Sequence, residues 1–317
     1  MRITFIIPSY NEEANVAPFF DAATEAFARQ SDFDGFELLF IDDGSTDGTL
    51  AAIRELVPPA QVDVRAVSFS RNFGKEAGMY AGLQHATGDI QAIIDADLQQ
   101  PPRVAFEMAH QLICHPEYDC VAAYQEQRKQ GAVHNALARR FYKTLKSSSG
   151  MDVVADASDF RAFRRNVADA LLQMPEYFRF SKGLFSWVGF RTLAWPYEVQ
   201  ERNAGSSSWS TRKLASYALD GILSFSVKPL RAATMAGLLL SLASIIYLIV
   251  VLVQTLAFGV DVPGYATIVC LILLMGGIQL LVLGIIGEYL GRAYIQGKMR
   301  PIYLVREEYE KRGSDES

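Results

Sequence analysis

The chain has 317 residues, half of them hydrophobic and 21% charged, with 30 basic against 35 acidic side chains and a formal net charge of -5. This apolar content excludes a disordered chain and is high for a purely soluble enzyme, so a membrane component is expected. The acidic balance lacks the basic field of a duplex-binding protein, and nucleic acid is not an expected partner.

The first predicted element is a buried strand, Ile3 to Ile7. Pro8 and the polar run Ser9 to Glu13 follow too soon for a signal-peptide core. Further strands are predicted at Phe36 to Ile41, Val62 to Ser68, Ile90 to Ile94 and Cys120 to Ala123. Helical spacing of apolar residues marks Glu13 to Arg29, Thr46 to Val57, Lys75 to His85 and Arg103 to His115, with Ser45 to Asp47 supplying caps and early negative charge. Strand–helix alternation predicts an α/β domain with a mostly parallel sheet, helices on both faces and ligands beyond the carboxyl ends of the strands. The polar clusters fall at those ends.

Farther along, Leu214, Tyr217, Ala218, Ile222 and Phe225 lie near one helical face, which suits either the membrane interface or packing on the soluble domain. Ala232 to Val260 and Val262 to Gly287 contain no Asp, Glu, Lys or Arg, and a bilayer core needs about 20 helical residues. Two transmembrane helices are therefore expected, about Thr234 to Phe258 and Tyr265 to Ile286. Lys228, Arg231, Arg292, Lys298, Arg300 and Arg306 flank them, whereas Gly259 to Gly264 holds no basic residue, so both termini are expected in the cytoplasm. Glu288 reads as an interfacial or intersubunit group, and the tail after Glu307 as disordered. The expected organisation is a cytoplasmic domain over 1–209, a juxtamembrane helix over 210–231, a hairpin over 232–288 and a cytoplasmic segment over 289–317.

Asp95-Ala96-Asp97 follows an apolar strand and suits either a solvated acidic turn or a hard divalent cation that also touches phosphate, with Gln99 adding a neutral oxygen. Asp42 and Asp43 form a second acidic pair, for capping or, at Asp42, for a nucleobase. Lys75, Arg202 and the Gly205 to Trp209 loop suit phosphate contacts or surface solvation. There is no GxGxxG and no GxxxxGK[ST], which disfavours a dinucleotide dehydrogenase or a P-loop NTPase. Cys114, Cys120 and Cys270 form no CxxC pair, arguing for a reducing compartment and against a zinc site. The four histidines accompany no nucleophile motif and read as structural.

In order, Pro8-Ser9-Tyr10-Asn11-Glu12-Glu13, Asp42-Asp43-Gly44-Ser45, Arg71 to Glu76, Asp95 to Gln99 and Ser158-Asp159-Phe160-Arg161 resemble the family-2 glycosyltransferases of GT-A (Rossmann-like) fold. With the two-helix tail, the whole chain is similar to the polyprenyl-phosphate group that includes bactoprenol glucosyltransferases and dolichyl-phosphate mannose synthases. The resemblance implies that Pro8, Tyr10, Glu12 and Asp42 bind the donor nucleoside, that Asn11 is a further substrate contact, and that Asp95, Asp97 and Gln99 hold Mg²⁺ or Mn²⁺ on the donor diphosphate. Lys75 is a further substrate contact, Arg202 neutralises the leaving phosphate, and Asp159 occupies the position of the proposed catalytic base, with Asp156 close by. Arg128, Arg139 and Arg140 are candidates for the acceptor phosphate. Gln100 stands where the family commonly has Asp or His, and Arg128 to Ala132 lacks acidic and hydroxyl residues expected there. The implied reaction is inverting transfer of a hexose, glucose from UDP-glucose, to polyprenyl (undecaprenyl) phosphate by a membrane-bound homo-oligomer, a tetramer by resemblance. GDP-mannose or another UDP-sugar as donor, and a catalytically silent membrane scaffold, are the alternatives.

Overall fold

Strands rich in Val, Ile, Leu and Phe, bounded by polar turns, organise the amino-terminal part of the chain. A computed structural model describes residues 1–125, 157–198, 227–258 and 264–313. In chain order these contain β1 (Arg2–Ser9), α1 (Glu13–Ala28), β2 (Gly35–Asp42), α2 (Thr49–Glu55), β3 (Val62–Phe69), α3 (Lys75–His85), β4 (Ile90–Ile93), α4 (Pro102–Cys114) and β5 (Cys120–Gln125). There follow β6 (Ala157–Arg164), α5 (Arg165–Leu172), α6 (Ser181–Trp187), β7 (Thr192–Tyr197), α7 (Lys228–Phe258), α8 (Tyr265–Gly297) and β8 (Val305–Arg312). The described residues fall into two compact units, one holding the sheet and β8, the other α7 and α8.

The eight strands form one sheet in the order β7-β5-β6-β4-β1-β2-β3-β8. β1 pairs in parallel with β2 and β4, β2 with β3, and β5 with β7, while β6 and β8 run antiparallel to their neighbours. The central strands are buried almost throughout, as expected of parallel strands covered on both faces. From α1, Val16, Phe19, Phe20, Ala23 and Phe27 form the stripe that covers one face. Phe5 meets Phe36 and Phe106 at 4.8 Å between ring centroids in each case, and Phe27 stacks on Phe36 at 5.2 Å. On α3, a Cβ at Gly82 would collide with Ile6, so glycine is what lets this helix lie close to β1.

Glu37 is buried in the sheet. Glu37 accepts hydrogen bonds from Thr4 Oγ1 (2.5 Å), Arg65 (2.8 Å), and the Thr87 N–H and hydroxyl (both 2.9 Å). Burial alone would raise its pKa, but these donors outweigh it and hold the carboxyl below its ordinary value. The network ties β1, β2, β3 and the α3–β4 turn together at the edge opposite the carboxyl ends.

Several expectations are corrected. Residues 308–312, expected to be disordered, lie in a strand: β8 pairs antiparallel with β3, setting Arg312 opposite Asp63 and Glu310 opposite Arg65. Glu307 pairs with Arg54, and the Lys311 ammonium donates to the Leu56 carbonyl at 2.9 Å. Its high charge reads as disorder by composition, yet charged residues are what an edge strand carries. α2 starts at Thr49, not Thr46, with Gly48 at its N-cap. Asp47 still contributes, accepting from the Thr49 N–H and hydroxyl. The elements β6, α5, α6 and β7 were not anticipated.

α7 and α8 are long and apolar enough to cross a membrane, over Lys228–Val251 and Leu274–Gly297, and they present Leu238, Ile245, Ile246, Leu280 and Leu281 on exposed surfaces. α7 begins at Lys228 rather than Thr234, and α8 continues to Gly297 rather than stopping at Ile286. Within that extension Glu288 pairs with Arg292 one turn on, at 3.0 Å, an intrahelical partner for the residue expected at an interface. The expected juxtamembrane stripe from Leu214 to Phe225 lies outside the described residues.

Candidate active site

Four parallel strands, β1 to β4, end side by side, and each runs into a polar loop. Asn11 follows β1 with φ 55°; its N–H donates to Ser45 Oγ at 3.0 Å and its Oδ1 accepts from the Thr46 N–H at 2.9 Å. The Glu12 N–H donates to Thr49 Oγ1 at 2.9 Å, and the Glu12 carboxylate accepts from Asn15 at 2.5 Å. Pro8 is half-buried and Tyr10 is exposed. This loop is therefore braced against the one after β2.

Asp42 and Asp43 divide the work of the second loop. Asp42 is buried, and its two oxygens accept from the Ser45 N–H (3.0 Å) and the Ser68 hydroxyl (2.6 Å). A nucleobase contact there has to share these oxygens with the chain. Asp43 accepts from the Phe73 N–H (2.6 Å) and the Gly74 N–H (2.8 Å), so it shapes the loop that launches α3. Burial raises its pKa against those two hydrogen bonds, and the neighbouring Asp42 charge adds to the rise. Gly44, at φ 65°, approaches the Arg71 backbone so closely that a Cβ would collide with it.

α3 then delivers Lys75 and Glu76 in opposite roles. The Lys75 ammonium lies 2.5 Å from Asp95 Oδ1 and 3.8 Å from Asp159 Oδ2. Burial would lower its pKa, but Asp95, Asp159 and Asp97 together raise it, so the group is a cation at neutral pH. Glu76 turns away to accept the Ser181 N–H (3.1 Å) and hydroxyl (2.5 Å) at the start of α6.

Asp159 reaches this cluster through sheet register. Antiparallel pairing sets Ile93 opposite Arg161, and Asp95 and Asp159, each two residues beyond that pair, both come within reach of the Lys75 ammonium. Burial would raise the Asp159 pKa, but Lys182, Lys75 and Arg161 outweigh it and hold the carboxyl below its ordinary value. Its Oδ1 is buried without a hydrogen-bond partner among the described residues.

In the Asp95 to Gln100 loop, Gln100 accepts the Asp95 N–H at 3.0 Å and its amide donates to Asp95 Oδ2 at 3.3 Å. An amide does this at both ends, which accounts for Gln at position 100. Asp97 is buried and its Oδ1 accepts the Gln99 N–H at 3.1 Å, around Leu98 at φ 60°. Among the described residues no three His, Cys, Asp or Glu converge as a closed cage. Two carboxylates and an amide oxygen suit a Mg²⁺-like cation that keeps phosphate and water as its remaining ligands. The unpaired, buried Asp159 oxygen marks the same place as one built for a charged guest.

Lys75, Asp95 and Asp159 are thus brought together, and Asp97 is close enough to act on the Lys75 charge. Pro8 lies near the end of β1 and Asp42 ends β2, with Tyr10, Asn11 and Glu12 on the loop that follows β1. Arg128, Arg139, Arg140, Asp156, Arg202 and the Gly205 to Trp209 loop lie outside the described residues. The sequence alone assigns Glu76 and Lys182 no role of their own, and it presents Asp43 only as one of an acidic pair. The Lys-Glu pair opening α3 was visible, but nothing in the sequence pointed to Ser181 as its partner.

A family model described as glycosyl transferase family 2 matches residues 4–172, and one described as GtrB C-terminal hairpin matches 228–293. A Bacillus subtilis (strain 168) protein named as a glycosyltransferase, CsbB, is 42% identical over 305 residues, spanning 96% of this chain and 91% of that one. The bactoprenol glucosyl transferase of Shigella phage SfV is 38% identical over 98% of this chain and 100% of its own length. Among solved structures, glucosyl-3-phosphoglycerate synthase from Mycobacterium tuberculosis aligns with a TM-score of 0.48 at 21% identity, over 71% of this chain and 78% of that one, too distant to inform the reaction. With its mostly parallel sheet, loop cluster and apolar hairpin, the chain belongs to glycosyl transferase family 2.

Proposed function

We propose that this chain transfers glucose from UDP-glucose to the phosphate of a polyprenol, undecaprenyl phosphate, with inversion at the anomeric carbon. The reading is carried by the Lys75, Asp95 and Asp159 cluster at the carboxyl edge of the sheet, in a chain with two helices apolar enough to cross a bilayer. A relative named bactoprenol glucosyl transferase supports it over nearly the full length. Following the basic flanks, the sheet domain and both termini lie on the cytoplasmic side, and the assembly is a homo-tetramer.

A phosphate monoester has its second pKa near ~6, so the acceptor is largely a dianion at neutral pH and needs orientation more than deprotonation. Asp159, held below its ordinary pKa, is a weak base and suits that positioning role. Lys75, Lys182 and Arg161 offset the charge that Asp159 and an incoming phosphate would otherwise bring together. Asp95 and Asp97, with Gln99, would hold Mg²⁺ or Mn²⁺. When bound, that ion supplies positive charge to the departing diphosphate. Lys75 keeps Asp95 oriented, Arg202 contributes to the same diphosphate, and Arg128, Arg139 and Arg140 serve the acceptor phosphate. The donor nucleoside takes Pro8, Tyr10, Asn11, Glu12 and Asp42.

The test is a donor panel with the full chain, undecaprenyl phosphate and Mg²⁺ or Mn²⁺, read by mass spectrometry of the lipid. Metal-dependent hexosyl lipid from UDP-glucose is expected. Product from GDP-mannose alone would replace the donor, and folded protein that yields none from any UDP- or GDP-sugar would overturn the reading in favour of a scaffold.

A further inference from the structure

Away from the carboxyl edge, at the opposite end of the parallel strands, the structure aligns a thiol, an imidazole and a carboxylate. Cys114, in the last turn of α4, is exposed, and its Sγ lies 3.2 Å from His110 Nε2. His110 Nδ1 lies 2.6 Å from Asp32 Oδ2. Helix spacing alone brings His110 and Cys114 together, four residues apart. It does not account for Asp32, which arrives from the loop before β2, 78 residues earlier. With Asp32 accepting from Nδ1–H, Nε2 is left as the acceptor facing the thiol, the arrangement in which a base takes a nucleophile's proton. Arg164 pins this turn by donating to the carbonyls of Leu112 and, at 3.2 Å, Tyr118. The His115 and Glu117 pair stands beside it at 3.4 Å.

We infer that Cys114 is a modification site for hydroperoxides, activated by His110 and held in register by Asp32. The thiol gives its proton to His110 Nε2, and the sulfur attacks one peroxide oxygen. The S–O bond forms as the O–O bond breaks, and the departing oxygen takes the proton back from His110. The sulfur is oxidised by two electrons to a sulfenic acid, and the peroxide is reduced to water or an alcohol. Cys120 is buried on β5, with a thiol that burial pushes up against the opposing effects of Arg161 and Thr192, and it serves as an internal control.

The experiment treats the reduced full chain in detergent with hydrogen peroxide and dimedone, and maps the trapped sulfenic acid by peptide mass spectrometry. Expected is a dimedone adduct at Cys114 and none at Cys120, formed about tenfold or more faster than on free cysteine at the same pH. His110→Ala should bring the rate down to that of free cysteine, and Asp32→Asn should lower it severalfold, with far-UV circular dichroism unchanged. A wild-type rate no greater than that of free cysteine would overturn the inference whatever the variants do, and so would a rate that His110→Ala leaves unchanged. Neither readout depends on glycosyl transfer.

Discussion

Glu76 accepts both the backbone N–H and the hydroxyl of Ser181, 105 residues further along the chain. The preceding residue, Lys75, holds Asp95 and faces Asp159. One turn of α3 therefore organises the site in two directions: Lys75 sets the acidic pair, and Glu76 sets the start of α6, which carries Lys182 within electrostatic reach of Asp159.

This position has a pH signature. Burial raises the Glu76 pKa above its ordinary 4.5, and the Asp159 charge adds to the rise against the Ser181 hydrogen bonds. The unfolded carboxyl therefore ionises first as pH rises, so ionisation costs the folded state stability, starting near the ordinary value and complete above the folded one. Glu76→Gln keeps an acceptor for Ser181 without the charge. Its melting temperature relative to wild type is expected to climb between pH 4 and 7, whereas Glu76→Ala, leaving the Ser181 donors unpaired, loses about 1–3 kcal/mol. A Gln variant whose offset from wild type is constant over that range would refute the assignment.

Asp95 and Asp97 could be read from their spacing because they leave one strand together, and Asp159 could be named only through its motif. Their convergence was not readable, since it depends on β6 running antiparallel beside β4, a pairing set by tertiary packing. Asp42 and Asp43 look equivalent in sequence. The fold separates them, one to Ser45 and Ser68 and the other to the α3 loop. The hairpin was legible because absence of charge over two long runs is a composition signal. β8 was not, because its alternating charges resemble a solvated tail until Asp63, Arg65 and Arg54 stand opposite them.

Lys75→Met removes the cation shared by Asp95 and Asp159. Asp95 and Asp159 then lose a compensating charge, which disfavours their ionised forms. Turnover in the lipid assay is expected to fall about 100-fold or more, with the acidic limb of the pH–rate profile moving to higher pH. Lost turnover with an unmoved acidic limb would confine Lys75 to donor contact.

Asp97→Asn and Asp159→Asn separate charge stabilisation from base catalysis. If Asp159 positions the acceptor, its amide variant keeps part of the turnover and the shape of the pH profile. If Asp97 holds a cation on the diphosphate, its loss costs far more, on the order of 10³-fold. Measured kcat values in the reverse order would make Asp159 the base.

The return strand is a stability element. Tyr303 stacks on Phe69 at 4.7 Å between centroids, and its hydroxyl donates to Gln84 at 2.7 Å and lies 3.1 Å from His85 Nε2. Burial, reinforced by Tyr80 and Glu308, pushes the Tyr303 pKa up to about 12, so the phenol stays protonated across the physiological range. Burial likewise lowers the His85 pKa despite Glu308, so unfolded His85 takes up its proton first as pH falls through about 6.5, and folding stability declines there until the folded value is passed. Tyr303→Phe, which keeps the stack, is expected to cost about 0.5–1.5 kcal/mol. Tyr303→Ala also removes the half-buried ring stacked on Phe69 and is expected to cost more, about 2–3 kcal/mol. Urea unfolding of the full chain in detergent, followed by hydrogen exchange at the β3 amides, checks both. Exchange at β3 that stays at wild-type levels in Tyr303→Ala would show that β8 holds the edge without its aromatic anchor.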